Sequence, residues 1–170
     1  VKLITCLRKP LDRFVSNFFY DLRYEYTQAQ RIEDYVDCYK EIHKGTYTMF
    51  NYYVRMLSGL DNNSADISEE HFLRAKKALA TFDICVIVEH GFSSLENALN
   101  WKVTPMHSNR TDLSFKDAIS LIKQGKMKDL FDELQHRKKR VSSSFLNYFN
   151  AENVWDIQLY DEMKNIQTRQ

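Results

Sequence analysis

Breakers are scarce in this chain: two prolines and four glycines in 170 residues. Such a count argues against a loop-dominated chain and for helices joined by short connections. Cysteine is also sparse. Cys6, Cys38 and Cys85 are odd in number and far apart, which gives neither a disulfide framework nor a C-x-x-C metal spacing. Cys6 and Cys85 lie in apolar, strand-like runs and are expected to be buried free thiols. Surplus charge of one sign is missing too. A formal net charge of +1 supplies no global field for nucleic acid or an anionic membrane, so any anion site must be local. No apolar run is long enough to span a bilayer. The sequence begins on a strand-like run without an initiating Met or a signal peptide, which leads one to expect an upstream portion.

What is present is the composition of an ordinary folded protein, 44% hydrophobic and 28% charged. Its length suits one domain over residues 1–170. Two β-branched runs without polar alternation, Val1–Leu7 and Ile84–Val88, have the pattern of parallel strands covered on both faces. Helical spacing accounts for most of the rest. Leu11, Phe14, Val15, Phe18 and Leu22 recur after Pro10, which suits a first helical turn. Further helices are expected over Glu33–Lys44, Met49–Ser58 with Gly59 as its cap, and Glu69–Thr81 with an Asp66/Glu69 capping box. Others are expected from Ser93 or Ser94 to Trp101, over Phe115–Gln124, from Lys126 to Phe149, and over Val154–Gln167. The fold class expected is therefore α/β, helix-rich, with a small parallel sheet.

Between the first strand and the first helix stands Arg8. A parallel strand delivers its carboxyl end to the crevice where open α/β sheets bind ligands. The helix that follows turns its positive dipole end to the same place. Arg8 has the fork to grip a phosphate, and Ser16 a hydroxyl to offer it from a helix that serine does not favour on propensity. The competing reading pairs Arg8 with Asp12 or another carboxylate and leaves Ser16 as a small packing residue.

The segment LRKPLDRFVSNFFY, Leu7 to Tyr20, resembles the R-[DN]-P-x-x-R-x-x-S motif of sulfotransferases that use 3′-phosphoadenosine 5′-phosphosulfate. The likeness is strongest to the Golgi carbohydrate sulfotransferases of the heparan and dermatan 2-O type. NYYVRMLSG (Asn51–Gly59) is similar to that family's N-x-x-[TV]-R-x-L-x-G segment. FDICVIVEHGFSSLENAL (Phe82–Leu99) is similar to its strand ending in Glu-Arg-Phe before a Ser-Leu helix. VWDIQLYDEM (Val154–Met163) is similar to its Asp-x-x-Leu-Tyr closing helix. The four segments keep the family's order. The resemblance implies a P-loop-kinase-like sulfotransferase fold, present as its carboxyl-terminal portion. Arg8 and Ser16 would hold the donor's 3′-phosphate, and Arg13 would brace the corner. Arg110 and Thr111, in the late polar loop, would contact the nucleotide. Sulfuryl transfer from this donor to a hydroxyl, that of a glycan, is the implied activity, with adenosine 3′,5′-bisphosphate as product. A Golgi lumen location, reached through a membrane anchor outside this chain, is implied with it.

Two departures stand out. Lys9 replaces the motif's Asp or Asn. The Pro-Lys-[TS]-Gly-[TS] loop that cradles the 5′-phosphosulfate has no counterpart, since Lys-Gly-Thr in HKGTYT (His43–Thr48) follows a helical pattern and comes after Arg8. The family's catalytic His falls upstream of Val1, so the base is unassigned. Of His43, His71, His90, His107 and His136, only His90 and His107 lie where a base would be useful. Asn109-Arg110-Thr111 and Asn62-Asn63-Ser64 are glycosylation sequons, meaningful only in a secretory protein. An inactive relative that serves as an interaction module is the alternative function. Nucleic-acid binding through HRKKR (His136–Arg140) is disfavoured by the acidic residues around it.

Overall fold

A computed structural model of the chain describes residues 2–23, 26–29, 31–43, 49–60, 66–102, 124 and 141–167. In chain order the elements are β1 (Ile4–Leu7), α1 (Pro10–Arg23), α2 (Ile32–His43), α3 (Tyr52–Ser58), α4 (Glu69–Leu79) and β2 (Ile84–Ile87). A 3₁₀ turn (Val88–His90) follows β2, and then come α5 (Ser93–Leu99), α6 (Ser143–Glu152) and α7 (Val154–Gln167). The described residues are thus helix-rich around a two-stranded parallel sheet in which Ile4 pairs with Ile84 and Leu7 with Ile87. No helix among them is long and apolar enough to cross a membrane. The expected helices over Phe115–Gln124 and most of Lys126–Phe149 fall outside the described residues, as do both sequons and residues 44–48.

The chain divides into two compact units, Val1–Asp12 with Gly45–Pro105 and Phe149–Gln170, and Arg13–Lys44 with Met106–Tyr148. In the first unit, one sheet face packs against α3, α4 and α7. Leu7, Ile87, Val54, Phe72, Ala75, Leu79 and Leu159 form its core, joined by Tyr53 and Tyr160. In the second unit the apolar stripe of α1 meets α2. Phe14 and Phe18 lie 5.6 and 5.1 Å from the ring of Tyr35, which is fully buried. The Tyr35 hydroxyl donates to Asp21, a buried carboxylate that also accepts from Asn17 Nδ2 at 3.3 Å.

Two sequence expectations are corrected. The strands were expected to be covered on both faces, which holds for β2, where Ile84, Val86 and Ile87 are buried; in β1 Cys6, expected to be buried, is exposed and Ile4 is 42% accessible. Ile4 and Cys6 share the β1 face opposite Leu7, and on that face the paired Ile84 and Val86 of β2 are buried while the β1 edge is left exposed. The cap of α4 is also different. Ser68, not Asp66, is the N-cap, and its N–H donates to His71 Nδ1 at 3.1 Å.

Helices α3 and α7 cap one another. Asn51 Oδ1 accepts from the N–H groups of Trp155 and Asp156, both at 3.1 Å, at the start of α7. Asp156 returns the favour, its carboxylate accepting from Tyr53 N–H at 3.0 Å and Val54 N–H at 2.9 Å at the start of α3. Asn153 Oδ1 accepts from Asn51 N–H at 3.0 Å. Each helix start would otherwise bury unpaired donors. Asn51 holds the left-handed conformation at φ 49°, which Asn tolerates better than most residues. At the other end of α3, Gly59 takes φ 69° and caps as expected.

Candidate functional site

The carboxyl end of β1 is a corner that Arg8 and Lys9 form before Pro10 opens α1. Its backbone is tied on several sides. The Tyr53 hydroxyl, carried by α3, accepts from Arg8 N–H and donates to Arg8 C=O, both at 2.9 Å. Glu89, in the 3₁₀ turn that ends β2, accepts from Lys9 N–H through Oε1 at 2.8 Å. Its other oxygen accepts from the Tyr160 hydroxyl of α7 at 2.9 Å. Tyr160 is itself buried. Burial first, then the hydrogen bond to and charge of Glu89, push its phenol above the ordinary tyrosine range, with Asp161 and Asp12 adding to the effect. That phenol therefore stays a donor throughout the working pH range.

The Arg8 side chain is half-buried and makes no ion pair among the described residues. The pairing with Asp12 is not observed. The turn's amides, by contrast, are already engaged: Arg8 N–H by Tyr53, Lys9 N–H by Glu89, while Pro10 has none. Asp12 sits in the first turn of α1 and already complements its positive dipole end. An anion at this corner would therefore depend on side chains in place of the Arg8 and Lys9 amides. Arg8 and exposed Lys9 are the cations on hand.

Ser16 lies two turns into α1, half-buried, in the second unit, and its hydroxyl has no hydrogen-bond partner among the described residues. Arg13 is half-buried at the start of that unit, while the bonds described above that brace the corner come from Tyr53 and Glu89. Arg110 and Thr111 lie outside the described residues, as do His107 and His136. His90 is exposed at the end of the 3₁₀ turn, beside Glu89, and His71 is engaged in the α4 cap. No cluster of metal-ligating side chains occurs among the described residues.

A separate cleft of about 600 Å³ opens beside the amino half of β2, lined by Leu79, Phe82, Ile84, Cys85, Leu159 and Met163 among others. It lies at the strand end opposite the corner and carries a Lys76–Glu162 ion pair at 2.6 Å. Burial, and then the neighbouring Cys6, push the Cys85 thiol up to about 11. Such a thiol is a poor nucleophile.

Sequence reasoning missed Glu89, Tyr53 and Tyr160. Glu89 and Tyr160 matched specified motif positions without a role being given to them, whereas Tyr53 falls on an unspecified position of its segment. Comparison with protein-family models, curated proteins and solved structures finds no match for this chain.

Proposed function

We propose that the chain is part of a sulfotransferase domain of the P-loop-kinase-like fold that uses 3′-phosphoadenosine 5′-phosphosulfate, with Arg8 gripping the donor's 3′-phosphate. The observation that carries this reading is a parallel strand followed at once by an arginine with no ion pair among the described residues, the backbone of that corner held by hydrogen bonds from two elements, Tyr53 of α3 and Glu89 of the 3₁₀ turn. Ser16, Arg110 and Thr111 enter as further donor contacts on the sequence resemblance alone. The donor supplies the activated sulfuryl group. The acceptor, a carbohydrate hydroxyl, attacks sulfur in line as the bond to the 5′-phosphate breaks, and its proton passes to a base that no described residue is assigned to be. The role of this chain's own residues is binding and orientation. A Golgi lumen setting belongs to the same proposal.

A relative that keeps the fold without binding the donor is the second reading. It is favoured by Asp12 in the first turn and by the prior engagement of the Lys9 amide. Calorimetric titration with adenosine 3′,5′-bisphosphate separates the two. On the first reading the wild-type chain binds, and Arg8→Ala weakens binding by about 1–3 kcal/mol, the worth of a charged hydrogen bond. Equal affinity in the two proteins removes Arg8 from the site, and a wild-type chain that does not bind favours the second reading.

A further inference from the structure

We infer that Glu89, with Tyr53 and Tyr160, is a positioning residue that fixes the direction in which the Arg8 side chain leaves the backbone. The inference rests on the proposed phosphate role of Arg8 and adds a part that the sequence motif does not contain. Two peptide planes flank the Arg8 Cα. The first holds Arg8 N–H, which donates to the Tyr53 hydroxyl at 2.9 Å. The second holds both Arg8 C=O and Lys9 N–H. Its carbonyl accepts from the Tyr53 hydroxyl at 2.9 Å, and its N–H donates to Glu89 at 2.8 Å. With both planes held, φ and ψ of Arg8 are held, and so is its Cα–Cβ bond. Pro10 stiffens the next position by locking its own φ.

The anchors are themselves restrained. Tyr53 is buried in α3, whose start is capped by Asp156. Glu89 is oriented by the buried Tyr160 hydroxyl of α7. An arginine held this way loses less freedom when it binds an anion, which is what preorganisation contributes to affinity.

Charge alone predicts the opposite. Glu89 is a carboxylate beside the proposed phosphate position, and removing its charge relieves repulsion. The sign of one substitution therefore separates positioning from electrostatics.

The test is calorimetric titration of the chain with adenosine 3′,5′-bisphosphate, comparing wild type with Glu89→Ala, which removes both the acceptor and the charge, Tyr160→Phe and Tyr53→Phe. Each variant is combined with Arg8→Ala, and Met163→Ala serves as a control for general loosening of the core. Positioning predicts that each single variant binds about three- to tenfold more weakly, the worth of one net hydrogen bond. In the Arg8→Ala background the same variants lose nothing further, because the group they orient is gone. The Met163→Ala control keeps wild-type affinity. Tighter or unchanged binding by Glu89→Ala together with unchanged binding by Tyr160→Phe overturns the inference while leaving Arg8 in the site. Equal losses with and without Arg8 overturn it as well. A wild-type chain that fails to bind removes the phosphate role and this inference together. Should Tyr53→Phe fail to fold, the Glu89 and Tyr160 variants carry the test.

Discussion

Replacing Asp156 by Asn tests the joint that holds the first unit together. The carboxylate is fully buried and accepts from two backbone N–H groups, Tyr53 at 3.0 Å and Val54 at 2.9 Å. An amide keeps one acceptor oxygen and turns an NH₂ group toward the other N–H. One charge-assisted hydrogen bond is lost, worth about 1.5–3 kcal/mol, and one buried donor is left facing another. The expected cost is about 2–3 kcal/mol for Asp156→Asn. Asp156→Ala orphans both donors and should cost about 4–5 kcal/mol, a large share of the roughly 5–15 kcal/mol available to a domain. Urea unfolding followed by the fluorescence of Trp155, next in sequence to the substituted residue, reads the loss as a midpoint about 1 M lower for Asp156→Asn, given an m-value of about 2 kcal/mol/M. The reciprocal cap makes a second demand. Asn51 accepts from the N–H of Asp156 itself, so Asn51→Ala and Asp156→Ala must be non-additive by about 0.5–3 kcal/mol. An Asp156→Asn protein within about 0.5 kcal/mol of wild type would refute the capping argument, as would strict additivity in the cycle.

The remaining predictions are simpler. With its thiol pushed up to about 11, Cys85 is thiolate in only about one molecule per thousand at pH 8. Iodoacetamide followed by peptide mapping should therefore find exposed Cys6 alkylated well before Cys85, and equal rates would contradict the assigned burial. Burial pushes the Glu33 carboxyl up, but hydrogen bonds from its own backbone and from the Ser142 N–H and hydroxyl, with the charge of Arg31, outweigh it and hold the group below 4.5. A lowered folded-state value means a stabilising contribution present above the ordinary carboxylate range and lost as pH falls through the folded value. Glu33→Gln should accordingly lose less stability than wild type between about pH 5 and pH 3, and parallel profiles would show that Glu33 does not couple to folding.

Periodicity made the scaffold legible where local rules and packing agree. The stripe Phe14, Val15, Phe18 after Pro10 gave α1, and the α7 bounds follow from Leu159, Met163 and Ile166 at helical spacing. Even there the pattern reads a face without reading its cover: Leu159 is buried while Ile166 stands 50% exposed beside the cleft. For β1, the apolar run spelled a strand and could not say how many neighbours it has. The same run could not say that the face would be buried at Val86 of β2 and open at its partner Cys6. The candidate site was legible at Arg8 alone, because an arginine between a strand and a proline is a local signal. Glu89 and Tyr160 are 71 residues apart, and no window of sequence pairs them. Asp156 reads as a first-turn carboxylate of its own helix, whereas its oxygens serve the start of another.

The four segments that resemble sulfotransferase motifs share a physical property that likeness alone does not supply. Leu7–Tyr20 contributes the Arg8 and Lys9 backbone, Asn51–Gly59 contributes Tyr53 and the cap at Asn51, Phe82–Leu99 contributes Glu89, and Val154–Met163 contributes Asp156 and Tyr160. Every one of them is hydrogen-bonded to at least one other, so a change in any propagates to the corner through one or two bonds. The four segments thus brace the backbone of the corner through one another. In a corner where the Arg8 and Lys9 amides are engaged and the helix start already carries Asp12, an anion would depend more on side chains, and a side chain is selective only when its root is fixed. The hydrogen bonds that Tyr53 of α3 makes to Arg8 and Tyr160 of α7 makes to Glu89 have a reason to exist here that packing alone would not give them: they hold the backbone from which the Arg8 side chain departs.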